Sequence, residues 1–208
     1  MKTLALACGV GLLALTAVNA QEFNKFSFDF GGGFTQGVGN TGRYLDDGWN
    51  VHGGFGINFS SYLGAKLNLG ADMMDINTPT LNAIGVPGGN VRIFHATIDP
   101  VVHLMPHHRV DVYVTGGGGL FHRYQEFTAP TIVTTTAFLP FFGFYPVAIG
   151  ANQILASYSV NKPGFDVGAG IEFGGIKHGK LFAEARYDHM FLNNGHTDFL
   201  PVTFGFRW

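Results

Sequence analysis

Residues 199–208, which read FLPVTFGFRW, carry the pattern that decides the fold of this chain. Large apolar side chains alternate here with small or polar ones, so they share one face of a β-strand. The residues on that face are Val202, Phe204, Phe206 and Trp208. The last residues of a soluble domain usually fray, whereas an aromatic ring at a strand end is typical of a membrane barrel anchored at the membrane–water interface. We therefore expect a membrane-spanning strand.

The same alternation recurs in seven earlier segments. Most of them are about ten residues long, which is the length that a tilted strand needs to cross the hydrocarbon core. Pro100 on the apolar face of the fourth segment predicts a bulge, and Phe182 breaks the alternation of the seventh. The pattern predicts an all-β fold, an eight-stranded antiparallel up-and-down transmembrane β-barrel. The segments lie near residues 26–31, 49–59, 63–72, 94–104, 110–121, 165–173, 181–188 and 199–208.

The predicted connections between these strands alternate in length. Short turns are expected at 60–61, 105–109 and 174–180. Longer loops are expected at 36–48, 73–90, 124–160 and 191–198. Outer-membrane barrels have short periplasmic turns and longer external loops, so this alternation places both ends of the barrel on the periplasmic side.

Composition supports a barrel that faces lipid. Only 12% of the residues are charged, whereas a soluble domain usually has about 25%. The chain has 21 phenylalanines and 31 glycines, and no helical span is recognisable after residue 20. An eight-stranded barrel has room inside for glycine and small polar side chains but not for many aromatic rings. The formal net charge of −2 offers no basic patch for nucleic acid.

The first residues resemble a secretory signal peptide. Lys2 precedes an apolar run that ends at Val18-Asn19-Ala20, and cleavage is expected after Ala20. Residues 1–20 are then the signal peptide, and residues 21–208 are the barrel domain. Cys8 lies in the removed segment, so the mature chain is expected to lack disulfides.

Together, the signal peptide, eight alternating strands and aromatic terminus resemble the small bacterial outer-membrane β-barrel family, the OmpA- and OmpW-like barrels. This resemblance implies an outer-membrane location and recognition of the last strand by the outer-membrane insertion machinery. The family includes adhesins, structural anchors, small-solute channels and a few lipid-modifying enzymes, so it leaves the activity open. OmpW-like barrels are thought to guide small apolar molecules.

Charged residues on the polar faces are expected to meet in the lumen. Buried charges must pair or be hydrated, so the sequence predicts an ion-pair network that fills the barrel. The alternative is a narrow ion path or a gated pore. Asp72 and His95 also belong to the polar faces. The predicted lumen network consists of Lys66, Asp99, Asp111, Asp166, Glu172, Glu184, Arg186, Asp188 and Arg207.

The predicted loop 124–160 is unusually apolar. Its residues are expected to fold over the barrel mouth from extended strands, to dip into the outer leaflet, or to line a site for a small hydrophobic ligand. The sequence leaves these three accounts open. The hydrophobic loop residues are Phe138, Phe141, Phe142, Phe144 and Tyr145.

Two further motifs suggest chemistry. Outer-membrane lipid A 3-O-deacylases carry a His-x-Ser-Asn-Ala stretch, but Phe191 stands here where the nucleophilic serine would follow His189. His103, His107 and His108 surround a short turn and have a spacing that can share a metal, but a polar turn explains them equally. We expect no catalytic residue, no metal and no cofactor.

The predicted function is that of a monomeric outer-membrane barrel with a structural or surface-interaction role. The alternative is a gated route for small hydrophobic molecules, and a lipid-modifying enzyme is a remote third. The expected partners are membrane lipid and the insertion machinery, with a small hydrophobic ligand under the alternative.

Overall fold

The computed structural model describes residues 24–174, 179–193 and 195–208. The predicted signal peptide, residues 1–20, lies outside this range. Eight antiparallel strands close into one barrel, and each strand pairs with its neighbours in sequence order. The predicted fold class is therefore confirmed. Among the described residues, no helix has the length and apolar character needed to cross a membrane.

The strands are longer than the sequence pattern indicated, mostly at one end of the barrel. In chain order they are β1 (Phe26–Gly37), β2 (Gly48–Asn58), β3 (Leu63–Asp75), β4 (Gly88–His103), β5 (Val110–Leu139), β6 (Gly143–Gly174), β7 (Lys180–Leu192) and β8 (Gly195–Arg207).

The barrel closes where β8 pairs with β1. Asp29 is opposite Arg207, and the pairing continues to Gly37 opposite Phe199. Beyond the last paired residue, Trp208 exchanges two backbone hydrogen bonds with Phe28, of 2.8 and 2.9 Å. All of residues 199–208 therefore take part in closing the barrel.

The two faces of the strands have opposite character, as the alternation predicted. Large apolar side chains lie on the outside, including Phe30, Ile98, Leu181 and Phe204, each more than half exposed. Charged and hydroxyl side chains are buried in the lumen. A soluble protein has the reverse arrangement, with apolar side chains inside. The arrangement seen here is stable only when the apolar exterior contacts hydrocarbon.

The two ends of the barrel differ. At one end, β2–β3, β4–β5 and β6–β7 are joined by short segments, and we call this the short-turn end. At the other end, the β1–β2 connection contains a 3-10 turn, Thr41–Arg43, and the β3–β4 connection contains helix α1, Thr78–Ile84. An oxygen of Asn77 caps α1 by accepting a hydrogen bond from the Thr80 backbone, at 3.0 Å.

Two predicted loops were wrong. Residues 124–160 are not a loop but a long hairpin, because β5 and β6 remain paired from Val110 and Phe173 up to Leu139 and Gly143. A break in register lies beside Phe127. Likewise, residues 191–198 are mostly strand, since β7 and β8 stay paired up to Leu192 and Gly195. In the outer part of the β5–β6 hairpin, β-branched residues such as Ile132 and Val133 can continue a ladder without strict alternation, because neither face is buried there.

Pro100 does not mark a bulge. The β4–β5 register is the same before and after it, with Ile98 opposite Gly118 and Val101 opposite Thr115. The prediction was wrong because an antiparallel ladder tolerates proline at a position that needs no N–H donor.

Candidate functional site

The lumen contains the main cluster of polar groups, and Arg186 is at its centre. Its guanidinium donates to Asp99 at 2.6 Å, to Asp166 at 3.2 Å and to Glu184 at 2.6 and 3.0 Å. These groups come from β4, β6 and β7, so the contacts connect strands that are not all neighbours. All four side chains are buried, so the pairs are shielded from bulk water and fix the strands to one another.

A second arginine, Arg207, organises the lumen nearer the short-turn end. It donates to Asp29 at 3.0 and 3.1 Å and also binds Glu172. Its guanidinium lies over the rings of Tyr113 and Phe182, with centroids 4.8 and 5.2 Å away. Phe182, the residue that broke the predicted alternation, therefore faces the lumen as a platform for this cation.

Lys66 connects the two arginine clusters. Its ammonium lies 3.4 Å from Asp29 and 3.5 Å from Glu184. Glu184 also accepts a hydrogen bond of 2.6 Å from the Tyr113 hydroxyl. Lumen residues from opposite walls thus form one connected network.

The short-turn end holds a small cavity of about 120 Å³. His103 contacts Asp111 at 2.6 Å on one side, and Lys180 donates to Glu172 at 2.8 Å on the other. Among the described residues, His103, Asp111 and Glu172 could offer ligand atoms to one metal ion. However, two cations, Lys180 and Arg207, already bind Glu172, and their charge opposes a metal cation there. A hydrated vestibule fits this cavity better.

Asp188 differs from the other lumen carboxylates. It is fully buried, and neither of its oxygens has a hydrogen-bond partner among the described residues. Its partner across the ladder is another carboxylate, Asp166. Like charges directly opposite each other destabilise a sheet, so ionisation of both carboxylates is unfavourable here.

Polar contacts continue from the Arg186 cluster and Asp188 towards the end of the barrel opposite the short turns. Thr35 donates to Asp72 at 2.5 Å, and His95 lies 3.4 Å from the same carboxylate. Asn50 and His95 also line a cavity of about 10 Å³, which has the size of one water molecule.

An apolar cluster fills the lumen beyond these residues. Leu45 from the β1–β2 connection and Ile76 from the β3–β4 connection form an isolated bridge over the barrel mouth. Beneath them pack buried side chains from the strands, namely Met74, Val91, Ile93, Phe121, Met190 and Phe199. The lumen is therefore occupied by apolar side chains at one end and by ion pairs in its middle.

The predicted hydrophobic loop residues lie at the apex of the β5–β6 hairpin. Phe141 is completely exposed, and Phe142 and Phe144 are exposed to 84% and 77%. Phe138 and Phe144 face each other across the hairpin, with ring centroids 5.2 Å apart. β5 leaves β4 after Thr128, so the apex belongs to a two-stranded ribbon that projects from the barrel wall.

His189 lies beside aromatic rings rather than a serine. Its ring contacts Asp198 at 2.6 Å and packs on the rings of Phe165 and Phe191, at 4.9 and 4.7 Å between centroids. A Ser–His–acid mechanism requires a hydroxyl within hydrogen-bond reach of the imidazole. The ring of Phe191, rather than a hydroxyl group, packs against the His189 imidazole.

The lumen network includes several residues that the sequence analysis did not name. Asp29 and Tyr113 are central to it, and Lys180 closes its short-turn end. Asp29 alternates with phenylalanines, and Tyr113 shares a strand face with Asp111, so the alternation itself could have identified both.

Comparison with solved structures finds several bacterial outer-membrane proteins that match along most of the chain. The attachment invasion locus protein Ail of Yersinia pestis, solved with the heparin analogue sucrose octasulfate, is 17% identical, with a TM-score of 0.50 and coverage of 90% of this chain and all of Ail. Neisserial surface protein A is 10% identical, with a TM-score of 0.56 and coverage of 90% and 98%. A major outer-membrane protein of Thermus thermophilus is 12% identical, with a TM-score of 0.54 and coverage of 88% and 97%.

At these identities the likeness establishes the fold. No family model matches the sequence, and no curated protein matches it as a relative. The chain therefore has the fold of the small eight-stranded bacterial outer-membrane β-barrels, with the apolar exterior that the outer membrane requires.

Proposed function

We propose that this protein is a non-catalytic outer-membrane barrel whose role is surface interaction through the β5–β6 hairpin. The observation that carries the proposal is the exposed aromatic apex of that hairpin, held away from the barrel by a ladder that keeps one register from Thr128 and Ile154 to the turn. An exposed apolar patch of this kind usually marks a contact surface.

The filled lumen supports a structural role for the barrel itself. Arg186 and Arg207 cross-link carboxylates from several strands, and an apolar cluster that includes Leu45 and Phe121 occupies the end opposite the short turns. Such an interior makes a rigid support for a projecting element. The names of two structural neighbours, an attachment invasion locus protein and a surface protein, agree with this kind of role.

The hairpin differs from a site for sulfated polysaccharide. Residues 127–161 contain no lysine, arginine or histidine, so they provide no cation for an anionic ligand such as the heparin analogue bound to Ail. The partner surface is expected to be apolar.

The alternative function, a route for small hydrophobic molecules, finds less support. The apolar residues from Phe138 to Tyr145 lie at the apex of a ribbon and not around an opening in the barrel. Planar-bilayer conductance and uptake of an alkane probe test this alternative. Uptake that depends on residues 138–146 would favour the route over surface interaction.

A truncation tests the proposed function. Thr128 and Ile154 are ladder partners, so replacing residues 129–153 by Asn-Gly leaves a two-residue hairpin on an intact barrel. Bacteria that display the truncated protein are expected to lose adhesion to cultured epithelial cells and to alkyl-coated beads. Heat-modifiable gel mobility checks that the truncated barrel folds. Unchanged adhesion to both surfaces would contradict the proposal.

A further inference from the structure

We propose that the apex of the β5–β6 hairpin docks onto a zwitterionic phospholipid bilayer of an apposed cell or vesicle by inserting its phenylalanine rings. This inference rests on the proposed function and names the partner of the same site. It is carried by the geometry of the apex, by the absence of charge along the ribbon and by the proline positions in its strands.

The apex presents its rings outward at a cost in backbone energy. Phe141 has a φ angle of 74°, in the left-handed region that large residues rarely adopt. Gly143 has a φ of 78°, but it has no side chain to strain. This strained conformation at a fully exposed position is a basis for inferring that the Phe141 ring contacts a partner.

The ribbon is free of ionisable acids and bases. No Asp, Glu, Lys, Arg or His occurs between Glu126 and Lys162. A charged partner surface would lose hydration against this ribbon without gaining an ion pair. An uncharged apolar phase, such as the hydrocarbon beneath phospholipid headgroups, carries no such cost.

The strands of the ribbon are poorly suited to pairing with another strand. Beyond Thr128 on β5 and before Gly164 on β6, these strands pair only with each other among the described residues, so their outer edges are free. Pro130 and Pro146 lie within these stretches, and a proline cannot donate a ladder hydrogen bond. A strand from a second copy of this chain would meet an interrupted edge.

Both faces of the apex are apolar. Phe138 and Phe144 lie on one face, while Leu139 and Tyr145 lie on the other, as their ladder positions require. Docking on a protein surface would cover one face and leave the other in water. Insertion into a fluid apolar phase covers both, because lipid surrounds the inserted element on all sides.

The depth of insertion is limited by the backbone. An open sheet edge cannot enter hydrocarbon, because its N–H and C=O groups would have no partners. The turn residues avoid part of this cost, since Pro140 has no N–H and the N–H of Phe142 donates to Leu139 at 3.2 Å. The apex therefore reaches the headgroup–acyl boundary, where aromatic rings are favourable, and the shaft remains outside.

The direction of the ribbon identifies which membrane is reached. From Thr128, where β5 leaves β4, to Leu139 at the apex, an extended strand covers about 36 Å. The ribbon continues the barrel wall on the side opposite the short turns, which in outer-membrane barrels is external. The apex is thus carried away from the membrane that holds the barrel and towards an apposed one.

A vesicle assay with the full-length mature protein in nanodiscs tests this inference. Nanodiscs are mixed with phosphatidylcholine vesicles, and co-flotation is measured at low and high salt. We expect binding that is insensitive to salt. Replacing two rings by Phe141→Ser and Phe142→Ser should weaken it by about a hundredfold or more, since each buried ring contributes about tenfold or more. Ile132→Ser, at a shaft residue that is 76% exposed, should leave it unchanged.

A fluorescent variant identifies the membrane that is entered. Phe142→Trp is prepared in nanodiscs, with brominated phosphatidylcholine only in the vesicles, so that the native Trp49 and Trp208 stay in unbrominated lipid. Quenching by vesicle lipid is the expected result. Quenching only when the brominated lipid is in the nanodisc means that the apex enters its own membrane, and it overturns the inference.

The remaining outcomes separate this inference from the proposed function. Failure of the full-length protein to bind vesicles, while adhesion to epithelial cells still requires the hairpin, overturns the lipid partner and leaves the surface role. Vesicle binding that Phe141→Ser with Phe142→Ser does not weaken also contradicts the inference. The exchange of two exposed rings removes little packing, and heat-modifiable mobility verifies that the variants are folded.

Discussion

Arg207 of β8 lies directly opposite Asp29 of β1 at the seam that closes the barrel, with Nη2 3.0 Å from Oδ2. The same guanidinium binds Glu172 of β6. One side chain therefore connects both sides of the seam with a more distant strand. Because all three groups are buried, their pairing contributes to both the closure and the register of the barrel.

Removal of this cation is expected to destabilise the barrel. Arg207→Met leaves Asp29 and Glu172 buried with one partner fewer each, and we expect a loss of about 3–5 kcal/mol in the free energy of unfolding. Urea unfolding in detergent micelles measures it. Arg43→Met, at an exposed position of the β1–β2 connection, is the matched control. Equal stability of the two variants would exclude this role for Arg207.

The two lumen carboxylates Asp188 and Asp99 are expected to respond differently to neutralisation. Asp188 has no hydrogen-bond partner among the described residues and faces Asp166, so Asp188→Asn should leave the unfolding midpoint unchanged or raise it. Asp99 accepts from Arg186 at 2.6 Å, so Asp99→Asn should lower it. Urea titrations of both variants measure their unfolding midpoints. A lower midpoint for Asp188→Asn than for Asp99→Asn would mean that Asp188 holds a stabilising contact.

Glycines opposite bulky lumen residues are expected to be irreplaceable. Gly170 is the ladder partner of Tyr113, and an added Cβ would meet the tyrosine ring. Gly170→Ala should therefore cost about 1–3 kcal/mol through overpacking. Gly150, in the ribbon, has open space around it, so Gly150→Ala should be neutral. Thermal unfolding followed by gel mobility compares them, and similar melting temperatures would contradict the expectation.

The last aromatic residue is expected to matter for insertion. Trp208 is about half exposed and is held by two hydrogen bonds to Phe28, so its ring is well placed to anchor at the membrane interface. Trp208→Ala, or deletion of residues 206–208, should reduce the outer-membrane yield. Quantified membrane fractions measure it, and a normal yield for the deletion would refute this prediction.

The lumen members could largely be predicted, whereas their contacts could not. Alternation along a strand identifies which side chains face inward, and it correctly placed Lys66, Glu184 and Arg186 in the lumen. It says nothing about which inward residues of different strands meet. Asp99 and Arg186 are far apart in sequence, and only the combined register of several strands brings them together.

The hairpin was harder to predict than the barrel. Residues 124–160 show no clean alternation, since neither face of the ribbon is covered and selection for a buried face is absent. Their apolar character was evident, but their conformation depends on pairing between segments such as Thr134 and Ala148. Pairing is a property of two strands together, so a single-segment pattern does not reveal it.

The sequence alone determined the architecture and the two faces of its strands. A period of two in hydrophobicity, repeated in eight segments with few charges, is compatible with a barrel in lipid and with little else. The tertiary structure decided which charges pair, that an apolar cluster occupies one end of the lumen, and that the aromatic segment is the apex of a projecting ribbon. Those features depend on register and closure, which are set by contacts between distant residues such as Asp29 and Arg207.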